Sequence, residues 1–118
     1  MNKKLFVIVL ISAFFISSSL VCHAKDYKDY SEVEGKIEKG QSKQEILKLL
    51  GEPDEKKIIV KNKKYIWGPE EEFWDEIPMG TRLEVWRYEF SDGNLSLYFV
   101  NEGENLDYKA FARKGVIY

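Results

Sequence analysis

The stretch EVWRYEFSDGNLSLYF, residues 84–99, decides the fold. Trp86, Tyr88 and Phe90 alternate with Val85, Arg87 and Glu89, a period of two that puts three aromatics on one face of a strand. Asp92-Gly93 follows, the strongest short-range hairpin signal in the chain. Leu95, Leu97 and Phe99 then carry the apolar face onto the returning strand, with Ser96 and an exposed Tyr98 on the other side. Their spacing makes these aromatics core rather than a ligand-stacking platform. Residues 106–111 read as a third strand of the meander, before a Lys114-Gly115 turn.

A sheet with one apolar face needs a cover, and the preceding sequence supplies it. In GQSKQEILKLLGEP, residues 40–53, Ser42 is a preferred N-cap and Glu45 sits where a capping box wants a carboxylate. Ile46, Leu49 and Leu50 form one face, widened by Leu47. Gly51 supplies the left-handed stop and Pro53 forbids continuation. Eight residues make about 12 Å of helix, too short to stand alone. It must be pinned at both ends and pressed on the sheet. Upstream, Asp29 and Glu32 suggest another capping box, and Tyr30, Val33 and Ile37 form a stripe, so a first helix is expected from about residue 29 to Gly40. Gly35 within it costs roughly 1 kcal/mol relative to Ala.

Between helix and hairpin, residues 57–61 and 64–67 (KIIVK and KYIW) flank Asn62-Lys63 and read as an additional hairpin. GPEEEFWDEIP, residues 68–78, reads as a short helix with Pro69 at its first position. Phe73, Trp74 and Ile77 would share one of its faces, as a lid on the sheet; alternatively Trp67, Phe73 and Trp74 are anchors for a partner, with an acidic rim. The expected class is α+β: two N-terminal helices on a small antiparallel sheet (ααβββ), with an extra β-hairpin and a lid segment.

The chain has 118 residues, 44% hydrophobic and 14% aromatic, enough for one small domain. Residues 1–24 read as an export signal: Lys3 and Lys4 precede the apolar run LFVIVLISAFFI, which is short of the roughly 20 residues a membrane span takes. Cys22 and Ala24 are spaced for cleavage after Ala24. Lipidation of Cys22 is the less favoured alternative, because branched Val21 would flank the cleaved bond. Residues 25–118 form the domain. Cleavage removes the only Cys and the only His, leaving no disulfide and no Cys- or His-based metal site. Removing two lysines leaves 16 basic against 20 acidic residues, a net charge of −4 that argues against a nucleic-acid footprint.

The run IEKGQSKQEILKLLGEP (residues 37–53), then VWRY (85–88) and LSLYF (95–99), resembles the SmpA/OmlA (BamE-like) family of outer-membrane assembly lipoproteins. The family pattern has Met where this chain has Gln41. The resemblance implies a two-helix-on-sheet domain without catalysis or cofactor, acting in the periplasm or at the outer membrane. Its partners would be an envelope protein or outer-membrane complex, with possible lipid contact. A secreted inhibitor or ligand-binding protein on the same scaffold is the alternative. The residues themselves offer little to an enzyme. Serines have no histidine to activate them, the carboxylates beside Trp74 are adjacent in sequence rather than across a cleft, and no calcium loop is present. The candidate partner-binding residues are Trp67, Phe73 and Trp74.

Overall fold

The computed structural model describes residues 27–116. The export signal expected over residues 1–24, with Cys22 and His23, lies outside the described residues. The chain is α+β, built on a four-stranded antiparallel sheet in the order β1-β2-β3-β4. Its strands are β1 (Glu55–Val60), β2 (Arg82–Phe90), β3 (Gly93–Val100) and β4 (Tyr108–Arg113). Among the described residues two α-helices accompany them, α1 (Lys43–Leu50) before β1 and the single turn α2 (Glu71–Trp74) between β1 and β2.

Helix α1 is fastened at both ends. Ser42 Oγ accepts from the Glu45 N–H at 3.2 Å, and Ser42 also forms a β-bridge with Asn105. Gly51 stops the helix with φ 76° while its N–H reaches the Leu47 carbonyl. The Gly51 carbonyl in turn accepts from Tyr88 Oη at 2.8 Å, so a core residue of β2 holds the helix end. Lys43 Nζ reaches Glu84 at 2.8 Å, and the Trp86 indole N–H donates to the other oxygen of the same carboxylate at 2.6 Å. Burial alone would raise the Glu84 carboxyl. The hydrogen bonds from Lys43 and Trp86 and the charges of Lys43 and Lys56 outweigh it and hold the group below the usual range.

The first helix expected from the sequence is absent. Residues Tyr30–Glu32 and Glu34–Lys36 form two short 3-10 turns, broken at Val33, whose φ of −121° lies outside the helical region. Asp29 makes no capping bond; its carboxylate is taken by Ser91 Oγ. The cap comes instead from the β2–β3 turn, where Asp92 accepts from the amides of Tyr30 at 2.9 Å and Ser31 at 3.4 Å. Lys109 Nζ, 2.6 Å from the Ile37 carbonyl, secures the other end. Gln41, where the SmpA/OmlA pattern has Met, bridges the Lys36 carbonyl and the Glu38 amide. Tyr30, Val33 and Ile37 are all buried, so the apolar stripe serves packing without a regular helix.

The sheet buries both faces, one along the whole β2–β3 hairpin and the other only over the half away from its loop. On one face, Trp86, Tyr88 and Phe90 join Leu95, Leu97 and Phe99 beneath the 3-10 turns and α1. On the other, Leu83, Val85, Tyr98 and Ala110 join Phe73, Trp74 and Ile77. Tyr98, expected on the surface, is therefore buried. Burial pushes its hydroxyl well above the usual phenol range, and the neighbouring Glu70 carboxylate raises it further, so it stays neutral and donates to Glu70 at 2.8 Å.

The additional hairpin at Asn62-Lys63 does not form. Residues 55–60 pair with β2, Glu55 opposite Arg87 through Val60 opposite Arg82. The Lys61 N–H donates to the Thr81 carbonyl at 2.9 Å and its own carbonyl accepts from the Gly80 N–H at 2.8 Å. Asn62-Lys63 also lacks the glycine that would let a two-residue turn reverse cheaply. The β2–β3 hairpin forms, with Ser91-Asp92 as its loop and Gly93 as the first residue of β3. Leu106 falls before β4, where its N–H and carbonyl pair with Gln41 and Gly40.

Gly93 is required by space. A Cβ there would lie 2.3 Å from the Ala112 carbonyl oxygen of β4. Gly93→Ala is expected to destabilise by more than about 2 kcal/mol in denaturant titration. Gly35→Ala, with nothing within 4 Å of the added carbon, should change stability by no more than about 0.5 kcal/mol.

Asp92 makes folding acid-sensitive. Partial desolvation raises its carboxyl, but the amides of Tyr30, Asp92 and Ser31, with Arg113 nearby, hold it below the ordinary aspartate value. The folded chain therefore gives up this proton more readily than the unfolded one. The stabilisation is complete above the ordinary value and drains away as pH falls through the lowered one. Asp92→Asn should lower stability at neutral pH and flatten its decline below about pH 4 in thermal melts.

Candidate functional site

The second buried face is made by residues 61–80, which leave the sheet after β1 and return to it before β2. Their interior is organised around a buried lysine. Lys61 is 4% exposed, and its ammonium donates to the carbonyls of Trp74 and Ile77, both at 2.6 Å. The same ammonium lies 5.3 Å from the centre of the Trp74 ring. These two carbonyls close the end of α2, where a cation suits the partial negative charge. The Trp74 indole N–H donates to the Lys63 carbonyl at 2.9 Å, locking the ring between the two ends of the segment.

Below this clasp, Phe73 stacks on Tyr108 with centroids 4.6 Å apart and planes 8° from parallel, and meets the edge of Tyr98 at 5.4 Å. Burial raises the Tyr108 hydroxyl, and the carboxylates of Glu76 and Asp107 add to the shift. Pro69 lies one residue before Glu70, the N-cap of α2, and not at the first helical position. The Glu70 carboxylate faces Tyr98.

The structure divides the three aromatics expected to anchor a partner. Phe73 and Trp74 are 7% and 5% exposed and serve the core of the segment, whereas Trp67 is 84% exposed. Tyr65 joins Trp67 at the surface, 73% exposed, while Ile66 between them packs on the buried cluster. Tyr65, Ile66, Trp67, Glu71, Trp74 and Asp75 line a surface cleft of about 520 Å³. Trp74 thus contributes to the cleft wall although most of its ring is covered.

Lys61 and Tyr65 were not marked by the sequence as site residues. Lys61 sits in a run of lysines that reads as solvated, and no local pattern separates it from Lys63 or Lys64. Tyr65 did carry a cue: the alternation Tyr65-Ile66-Trp67 directs the middle residue inward and the two aromatics outward.

Among the described residues no three His, Cys, Asp or Glu side chains gather into a metal-binding group. No described helix is long and apolar enough to cross a membrane. Compared with known family models, curated proteins and solved structures, the chain matches none.

Replacing Lys61 with Met keeps much of the side-chain volume but leaves the Ile77 carbonyl without its donor, while the Trp74 carbonyl keeps only the Ile77 N–H at 3.1 Å. A buried polar group left unpaired costs about 1–3 kcal/mol. Hydrogen exchange of Lys61→Met should show faster exchange of the amides of residues 73–77, with β2 and β3 still protected. Uniform loss of protection across the sheet would show that the segment does not open as a separate unit.

Proposed function

We propose that this protein is a non-catalytic binding module of the bacterial envelope, exported and acting as a small assembly or binding factor of the periplasm or outer membrane. The observation that carries the reading is Trp67, held out at 84% exposure on a segment whose interior is closed by Lys61, Trp74 and Phe73. Large exposed aromatics on a fixed support lose little freedom when they bind, and Trp is enriched among residues that dominate interface energies. Tyr65 extends the same surface. Phe73 and Trp74 act in this reading as its support, with Trp74 also contributing to the cleft wall.

The sequence resemblance to the SmpA/OmlA family supports an envelope role, as does the export-type leader over residues 1–24. In this reading the domain is a BamE-like or BLIP-like variant, and what supports it is the α+β class with an antiparallel sheet. A secreted inhibitor or ligand-binding protein is the second reading, and recovery from culture medium instead of the outer-membrane fraction would favour it.

The test is photo-crosslinking in intact cells from an aromatic photoprobe placed at position 65. A discrete protein adduct is expected, and Trp67→Ala should abolish it while leaving stability within about 0.5 kcal/mol, as for other exposed positions. An adduct that survives Trp67→Ala, or no adduct at all, would sink the proposal.

A further inference from the structure

We infer that the cleft beside Trp67 receives an arginine side chain of the protein partner, its guanidinium laid on the indole and hydrogen-bonded to Glu71 and Asp75. The inference rests on the binding role proposed above and names the chemistry of the contact. Six residues line the cleft, and their charge is one-sided: two carboxylates and no basic group. Asp75 has φ −66° and ψ −23°, so it continues the geometry of α2, and a spacing of four residues brings the Glu71 and Asp75 carboxylates to one side of the turn. Two like charges so placed repel each other, and a cation between them relieves that repulsion.

Both carboxylates are uncommitted. Among the described residues neither Glu71 nor Asp75 enters a side-chain hydrogen bond or an ion pair, whereas Glu70, one residue before, is occupied by Tyr98. The aromatic faces of this region already accept cations from the chain itself. Lys64 Nζ lies 5.6 Å from the Tyr65 ring centre, and Lys61 Nζ 5.3 Å from that of Trp74. The Trp67 indole has no such cation over it among the described residues.

The shape favours guanidinium over other cations. A planar group can stack on an exposed indole and still point its N–H donors sideways at two carboxylates, which a compact ammonium does less well. A quaternary ammonium has no N–H to give the carboxylates, and is best held by an enclosing cage of rings rather than by a rim with one fully exposed Trp.

The test uses the purified chain and three blocked pentapeptides differing only at the central residue: arginine, its uncharged near-isostere citrulline, or lysine. Binding is followed through the indole N–H resonance of Trp67. The arginine peptide should shift that resonance saturably, and the citrulline peptide should bind roughly tenfold more weakly or worse. Lysine should fall between them. Glu71→Gln combined with Asp75→Asn should reduce arginine binding to the citrulline level while the remaining spectrum stays folded, and 1 M salt should weaken arginine binding by screening. Equal binding of arginine and citrulline overturns the inference, as does a double variant that binds like the parent. Competition by tetramethylammonium as effective as by free arginine would assign the cleft to small quaternary cations and also overturn it. A crosslinked protein adduct from position 65 that persists in the double variant removes the arginine assignment and leaves the binding role standing.

Discussion

The structure depends on the β2–β3 hairpin being buried on one face along its whole length and on both faces over the half away from its loop. Val85 and Trp86 are adjacent in sequence, point to opposite sides and are both buried. On β2 the apolar residues toward the Ser91-Asp92 loop are Trp86, Tyr88 and Phe90 and those toward the other end are Leu83 and Val85, with Arg87 and Glu89 following as polar positions, whereas on β3 Leu95, Leu97 and Phe99 keep the first face apolar throughout. A hairpin patterned in this way cannot be covered from one side. The 3-10 turns and α1 cover the first face and residues 61–80 cover the second beside Leu83, Val85 and Tyr98, so each covering segment is needed for a different face of the same two strands.

The two covers are held by different physics. The N-terminal cover is mostly apolar burial, trimmed by backbone caps supplied from the sheet: Asp92 for the first turn, Lys109 for the second and Tyr88 for the end of α1. The second cover is a smaller apolar cluster closed by a charge. An ammonium is costly to bury, and Lys61 is accommodated because two carbonyls and an indole face receive it. That closure is directional, which lets a segment with little regular structure hold Trp67 outward in one orientation.

Much of this was legible in the residues. The Ser42 and Gly51 caps of α1, its need for support at both ends and the aromatic face of the hairpin follow from short-range chemistry and are present, although the Glu45 carboxylate does not return the bond that would complete the capping box. The first helix was not, because its capping box competed with stronger partners: Asp29 is claimed by Ser91, and the turn amides by Asp92, 61 and 62 residues away in sequence. The hairpin at Asn62-Lys63 failed for a similar reason, since residues 55–60 found a partner strand beyond the segment rather than next to it. Of the candidate site, the segment and Trp67 were marked by composition. The division of labour between Trp67 outside and Phe73 and Trp74 inside depended on the second sheet face, which becomes visible only once Leu83 and Val85 are placed on it.

The backbone bonds that Lys61 makes to Gly80 and Thr81 join the two ends of the intervening chain. Such a stretch behaves as a cassette: the sheet senses its endpoints and its apolar underside, and little of its contour. Each doubling of a flexible closed loop costs only about 0.6 kcal/mol in closure entropy. Insertions around Trp67 and Gly68 would then be tolerated far more readily than any change at Gly93, so the scaffold can vary its recognition surface in length and chemistry while the strands beneath stay as they are.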